Sequence, residues 1–203
     1  MRTLADLARP LNLRCRRRLQ GGHPPALVLM TDEARLPDPL PVAAKLPPGS
    51  LVIFRHYGHP ERETIARALA KLCRVKRLRL LVAKDFTLAQ SLGAGLHLPE
   101  HLLRQPLARQ RLRARAGFLL TTACHSRSAL KRAENLGADA CLLSPVFATA
   151  SHPGVGGMGI WRFTAWVRSC RLTVYGLGGL NTATLPRLNH SQSAGAAALS
   201  GFL

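Results

Sequence analysis

Two glycine-containing pairs near the C-terminus, Gly178-Gly179 and Ser200-Gly201, are the residues of this chain best suited to hold a phosphate. Glycine lets backbone N–H groups approach an anion closely, and such N–H groups can cradle its oxygens. A double glycine also serves plain tight turns, so the pair alone is a weak signal. Fixed cations that could meet a second anion are Arg55 and Lys84. A lysine binds phosphate as a point charge. His56, His97, His125, Ser144, Thr149 and His152 add polar groups. His125 precedes a helix cap, whereas His97 lies in a short apolar run and reads as a wall residue. Asp32 reads as a partner for Arg55, and Glu61 and Glu63 as ordinary first-turn acids.

These residues recur just after short apolar runs, and that places them. Strand candidates are Ala26 to Thr31, Leu51 to Tyr57, Leu78 to Ala83, Gly95 to Leu98, Phe118 to Ala123, Ala140 to Val146, Leu172 to Leu177 and Ala194 to Leu199. Helical patterns separate most of them. Pro60, Glu61 and Glu63 open one that reaches about Cys73. Asp85 caps Phe86 to Leu92. Ser126 caps Ser128 to Leu136, with Gly137 as a left-handed C-cap. His101 to Arg115 is basic and helical, interrupted by Pro106. A glycine-rich loop, Gly154 to Gly159, leads into a helix over Trp161 to Arg168, whose Trp161 and Trp166 read as packing residues. Asn181 caps a short helix to Leu188.

Eight strands alternating with helices predict parallel β/α units, and runs without polar alternation predict strands buried on both faces. The expected fold is α/β, a single (β/α)8 TIM barrel with its site at the C-terminal strand ends. Its final helix is missing from the pattern. Residues 1–25 are expected to form a basic helical extension, and residues 26–203 the barrel domain. Thr3 to Leu19 is expected to pack where the final helix would lie, or else to close the bottom of the barrel.

The 203 residues carry 47% apolar side chains, enough for one core, and a net charge of +19. Arginine concentrates in Arg14 to Arg18, Arg74 to Arg79 and Arg104 to Arg115. Charge runs are usually solvated faces, but they also suit an anionic partner. No run interleaves with aromatics, so base stacking is not indicated and a nucleic-acid partner rests on charge alone. The five scattered cysteines have no metal spacing and fit a reducing cytoplasm. No apolar run is long enough to span a membrane, and the N-terminus lacks a signal-peptide core.

The order of short motifs resembles the thiamine phosphate synthase/TenI family. The pieces are Leu29-Met30-Thr31-Asp32, Phe54-Arg55, Leu88 to Leu98, Cys124-His125-Ser126, Gly137-Ala138-Asp139-Ala140, Ser144-Pro145-Val146-Phe147-Ala148-Thr149, Tyr175 to Leu180 and Gly195 to Ser200. They cover roughly Ala26 to Phe202. The resemblance implies joining of a hydroxymethylpyrimidine pyrophosphate to a thiazole phosphate, with release of pyrophosphate, in thiamine biosynthesis. By position it implies that Arg55 holds the pyrophosphate and His125 lines the pocket; with Lys84 as a fixed charge where the metal would sit, these three are the expected catalytic residues. Ser144, Thr149, His152, Gly178, Gly179, Ser200 and Gly201 would bind substrate and phosphate, with His56 completing the anion clamp. Partners would be small phosphorylated substrates, with a homodimer as the oligomeric expectation and no membrane. Mg²⁺ is expected for the family, yet its carboxylate ligands are missing. Ala83-Lys84 stands where the family has Asn-Asp, and Pro99-Glu100-His101-Leu102 where a second Asp belongs. The family's strand-two Lys aligns with Tyr57, its strand-five Ser with Ala123, and the Lys after Phe-x-Thr with His152. Pro145 stands where the tautomerase branch has His. A barrel that binds a thiamine-related phosphate without turnover is the alternative expectation.

Overall fold

The computed structural model describes residues 4–15, 17–20, 22–104, 118–149 and 156–199. Eight parallel strands close into one barrel in sequence order: β1 (Leu27–Met30), β2 (Leu51–Phe54), β3 (Arg79–Ala83), β4 (Gly95–Leu98), β5 (Leu120–Cys124), β6 (Ala140–Leu143), β7 (Thr173–Leu177) and β8 (Gly195–Ala198). The fold is the expected (β/α)8 barrel. β1 pairs with both β2 and β8, so no edge is left open. The helices described are α1 (Leu4–Arg14), α2 (Leu40–Ala44), α3 (Arg62–Lys76), α4 (Phe86–Ser91), α5 (Arg127–Leu136) and α6 (Gly159–Ser169). Two 3-10 turns, Glu100–Arg104 and Leu185–Leu188, stand between strands as well.

Alternation along each strand divides the core in two. Val28, Met30, Leu51, Ile53, Leu81, Leu142 and Tyr175 fill the barrel interior. Leu29, Val52, Phe54, Val82, Leu143 and Val174 face outward under the helices. Both faces of each strand are buried, hence the non-alternating apolar runs. Leu4, Ala8 and Leu11, spaced along one face of α1, are buried. α1 packs against β8 and the Leu185–Leu188 turn. The chain then crosses beneath the barrel, where Cys15 and Leu19 join the interior core. The two expected placements of this segment are therefore both realised, in succession. Arg17 donates to the Val167 and Cys170 carbonyls at the end of α6, fastening the crossing.

Several elements differ from the sequence reading. Between β1 and β2 the chain forms a short helix, α2, with proline in its first turn. β2 ends at Phe54 rather than Tyr57, because Arg55 N–H turns to the Thr31 hydroxyl. β6 ends at Leu143, and Ser144 to Thr149 leave the sheet. Asn181 does not cap a helix. Its Oδ1 accepts from Ala183 and Thr184 N–H in a tight turn, and the helix beyond shrinks to Leu185–Leu188. Trp161 is no packing residue: it is 87% exposed at the start of α6. The basic stretch from residue 105 to 115 and the start of the glycine-rich loop lie outside the described residues, as do His152, Ser200 and Gly201.

Candidate active site

The C-terminal strand ends define a mouth with two unlike arcs. The first spans β6 to β8 and is built of backbone. After β7, Gly178 and Gly179 adopt φ +91° and +65°, which favour glycine. Space is as tight as the dihedrals. A Cβ on Gly178 would lie 2.9 Å from the Pro145 side chain, and one on Gly179 2.5 Å from the Ala148 carbonyl. The Ser144 to Thr149 segment reaches across to this turn, with Val146 N–H donating to Leu177 O and Phe147 N–H to Gly178 O. Thr184 Oγ1–H donates to the Gly179 carbonyl from the far side. Ser144 and Thr149 thus bound a segment that runs beside the glycine pair.

The second arc spans β1 to β3 and is built of side chains. Arg55 donates from Nε to the Thr31 carbonyl at 2.9 Å and from Nη2 to Asp32 at 3.0 Å. The expected Asp32–Arg55 pair is present. Arg62, from the first turn of α3, pairs with Asp85 at 2.9 Å and also donates to Ala83 O. Asp85 meanwhile caps α4 by accepting from Leu88 N–H. Lys84 directly follows β3 at φ +67°, a conformation that costs a non-glycine residue about 1 kcal/mol or more. Its ammonium lies 4.6 Å from the centre of the Tyr57 ring. Burial raises the Tyr57 hydroxyl above its ordinary range, against the lowering fields of Arg55 and Arg62.

His56 does not join an anion clamp. It is fully buried, and its Nε2 faces the Leu36 and Pro37 carbonyls at 3.1 Å, so that nitrogen must donate. Nδ1 is then left to accept from the Thr31 hydroxyl at 3.0 Å. Its work is to tie the loop after β1 to the loop after β2. His97 lies on the interior side of β4, 2.9 Å from Thr121 Oγ1 and 1% exposed. Burial first, and then the Arg55 charge, lower its pKa to about 3. It is a neutral wall residue, as its apolar setting suggested.

His125 follows β5 and leans toward the first arc. Its Nδ1 stands 3.1 Å from both the carbonyl and the hydroxyl of Ser144. A carbonyl can only accept, so Nδ1 carries a proton. Its backbone N–H donates to Glu100 at 2.7 Å, and the other Glu100 oxygen holds Arg132 at 3.0 Å. Glu100 as a buttress of His125 was not foreseen. Its place just after β4, in the segment where the resemblance expects a metal-binding Asp, was the available signal.

The donor set does not fit Mg²⁺. A hard cation of this size wants oxygen ligands, commonly one or two carboxylates plus water and phosphate oxygens. Lys84 puts a positive charge where one carboxylate would stand. The nearby Asp85 is engaged by Arg62 and the α4 cap, and Glu100 by His125 and Arg132. Among the described residues no cluster of His, Cys, Asp and Glu suits a metal.

Comparison with known proteins agrees with the motifs. The sequence profile of a family described as thiamine monophosphate synthase matches residues 28–202. The thiamine-phosphate synthase of Bordetella pertussis is 33% identical over 151 residues, covering 70% of this chain and 68% of that one. The solved thiamine phosphate pyrophosphorylase from Pyrococcus furiosus superposes with a TM-score of 0.70 at 20% identity, over 92% of this chain and 87% of that one. The YdjI aldolase from Escherichia coli K12 superposes at 0.64 with 10% identity, over 96% of this chain and 81% of that one. These two structural likenesses speak for the barrel alone.

Proposed function

Since the chain belongs to the thiamine monophosphate synthase family, we propose that it is a synthase-type transferase in which a fixed lysine charge replaces the metal. Its substrates would be a hydroxymethylpyrimidine pyrophosphate and a thiazole phosphate, and its setting the cytoplasm, where five free cysteines stay reduced. The observation that carries the reading is the Lys84 ammonium over the Tyr57 ring, at the strand end where the resemblance puts a metal-binding carboxylate.

In this reading the glycine arc receives the thiazole phosphate on backbone N–H groups at Gly178 and Gly179, joined by Thr149, Ser200 and Gly201. Ser144 and His125 line the pocket between the arcs. The side-chain arc receives the pyrophosphate. The bond between the pyrimidine methylene and the leaving oxygen breaks, and its electron pair departs with the pyrophosphate. Charge growing on that oxygen meets Lys84 and the oriented guanidinium of Arg55, with His152 as a further cation. The thiazole then captures the pyrimidine cation.

Pyrophosphate release, followed with both substrates, is expected to proceed unchanged in EDTA. Lys84→Ala is expected to slow it roughly 100-fold, the scale of losing one preorganised charge contact. Turnover that EDTA abolishes would refute the lysine-for-metal reading.

One observation favours a second reading, binding without turnover. Asp32 and Asp85 already oppose the charges of Arg55 and Arg62, which weakens this arc as a pyrophosphate site. Thermal stabilisation by thiazole phosphate or thiamine phosphate, with no product from the substrate pair, would establish it.

A further inference from the structure

The lower face of the barrel carries an excess of cations. In each strand–helix unit the helix N-terminus lies at the mouth and its C-terminus at the opposite, lower face. Acids suit the first ends and cations the second. Asp32, Glu33, Glu61, Glu63, Asp85 and Glu100 all follow strand ends on the mouth side. Against Glu134 and Asp139, the latter within reach of the Arg79 charge, the lower face collects Arg14, Arg18, Arg74, Arg77, Arg79 and Arg168. They come from the ends of α1, α3 and α6, the start of β3 and the segment crossing beneath the barrel.

Helix capping does not neutralise them. The chain has 29 Lys and Arg against 10 Asp and Glu, so most cations cannot find a carboxylate at all. Arg14, Arg74 and Arg168 donate to the carbonyls of Asn189, Leu92 and His190. Arg18 meets His23, and Arg79 the amide oxygen of Gln20. Such partners orient a guanidinium and leave its charge on the surface. Among the described residues, the ion pairs involve none of these six arginines.

Two exposed aliphatic side chains stand among them. Leu13 is 77% exposed and Val75 73%. Each is the penultimate residue of its helix, α1 and α3, and each is flanked by cations: Arg14 in one case, Arg74 and Lys76 in the other. They therefore project at the same end of the barrel. The exposed aromatics, Tyr57 and Trp161, belong to the mouth end.

We propose that the lower face of the barrel docks on an anionic phospholipid surface. The attraction of cations to acidic headgroups adds up across a face, and aliphatic side chains among them enter the headgroup boundary. A nucleic acid would use the same cations. It would gain nothing from Leu13 and Val75, and among the described residues the face offers no exposed aromatic for stacking. No helix among the described residues is long and apolar enough to cross a bilayer, so the contact is peripheral. The expectation of no membrane partner rested on the lack of a spanning segment, and a surface contact needs none. Docked this way, the barrel turns its mouth to the solvent, whatever reaction the mouth performs.

The test is sedimentation of the full chain with vesicles of phosphatidylcholine alone or with roughly a third phosphatidylserine, the class of lipid that supplies surface charge. The chain is expected to sediment with the second only, and to be released by high salt. Leu13→Ser together with Val75→Ser should weaken binding several-fold with an unchanged melting temperature, since neither side chain is buried. Arg18→Glu with Arg79→Glu should weaken it roughly tenfold or more. Failure to sediment with the anionic vesicles overturns the proposal. So does binding that ignores the paired serine substitutions while double-stranded DNA competes it away.

Discussion

The two arcs of the mouth are made of different material. Between β6 and β8 the site is main chain, and its shape depends on the absence of side chains at Gly178 and Gly179. Between β1 and β3 it is side chain, set by Arg55, Arg62, Lys84, Asp32 and Asp85. A backbone site tolerates little, because each neighbouring atom fills the space a Cβ would need. A side-chain site can be rebuilt one residue at a time over an unchanged strand end. By the family resemblance, the first arc keeps its glycine pair, while the second carries Lys84 where a metal-binding carboxylate is expected. How a site is constructed therefore governs which half of it can drift.

The sharpest way to break this comparison is to disturb the backbone arc. Gly179→Ala adds a Cβ 2.5 Å from the Ala148 carbonyl at φ +65°. It is expected to destabilise the fold by about 2–4 kcal/mol, read from denaturant unfolding. If the variant melts like the wild type, the arc is not rigid. The side-chain arc should respond in the opposite sense. Lys84→Gly removes strain at φ +67° and is expected to gain about 1 kcal/mol of stability, while pyrophosphate release falls as in Lys84→Ala. A loss of both together would show that Lys84 serves folding.

Beneath the second arc, His97 gives a pH test. Its folded pKa of about 3 lies below the ordinary 6.5, so between these values the unfolded chain binds a proton that the folded chain refuses. Its contribution to stability is complete above 6.5 and is lost as pH falls toward 3, at up to about 1.4 kcal/mol per pH unit. His97→Gln should flatten that part of the stability profile, and an unaltered profile would contradict a neutral, buried imidazole. A further effect is expected at His56. Its replacement by Phe removes the link between Thr31 and the Leu36 and Pro37 carbonyls. Stability should drop by about 1–2 kcal/mol, with KM for the pyrophosphate substrate rising more than kcat falls. A kcat loss at unchanged KM would instead put His56 in the chemistry.

Much of the fold was legible because local and global signals agree. Gly95 to Leu98 forms a strand at the boundaries its apolar run suggested. Asp85 and Ser126 cap their helices, and Gly137 takes the left-handed C-cap at φ +80°. Reading failed where a side chain redirects the main chain. Apolar character carried the second strand on to Tyr57, but the Thr31 hydroxyl takes the Arg55 N–H and ends the ladder. The site was legible as positions more than as contacts. That Arg55 meets Asp32 could be guessed from neighbouring strands. That His56 is taken up by the Leu36 and Pro37 carbonyls, or that Glu100 holds His125, depends on rotamers and loop paths that carry no periodic signal.

The bond from Arg14 to the Asn189 carbonyl joins positions 175 residues apart, and β1 waits on β8 for its second neighbour. On the ribosome, the first helix and first strand are made long before the elements that cover them. They must stay unsatisfied until nearly the whole barrel has emerged, because contacts this distant in sequence are slow to form. The ring closes last where it began. Synthesis therefore exposes α1 and the free edge of β1 longest, and a chaperone acting on the nascent chain would find its surface there.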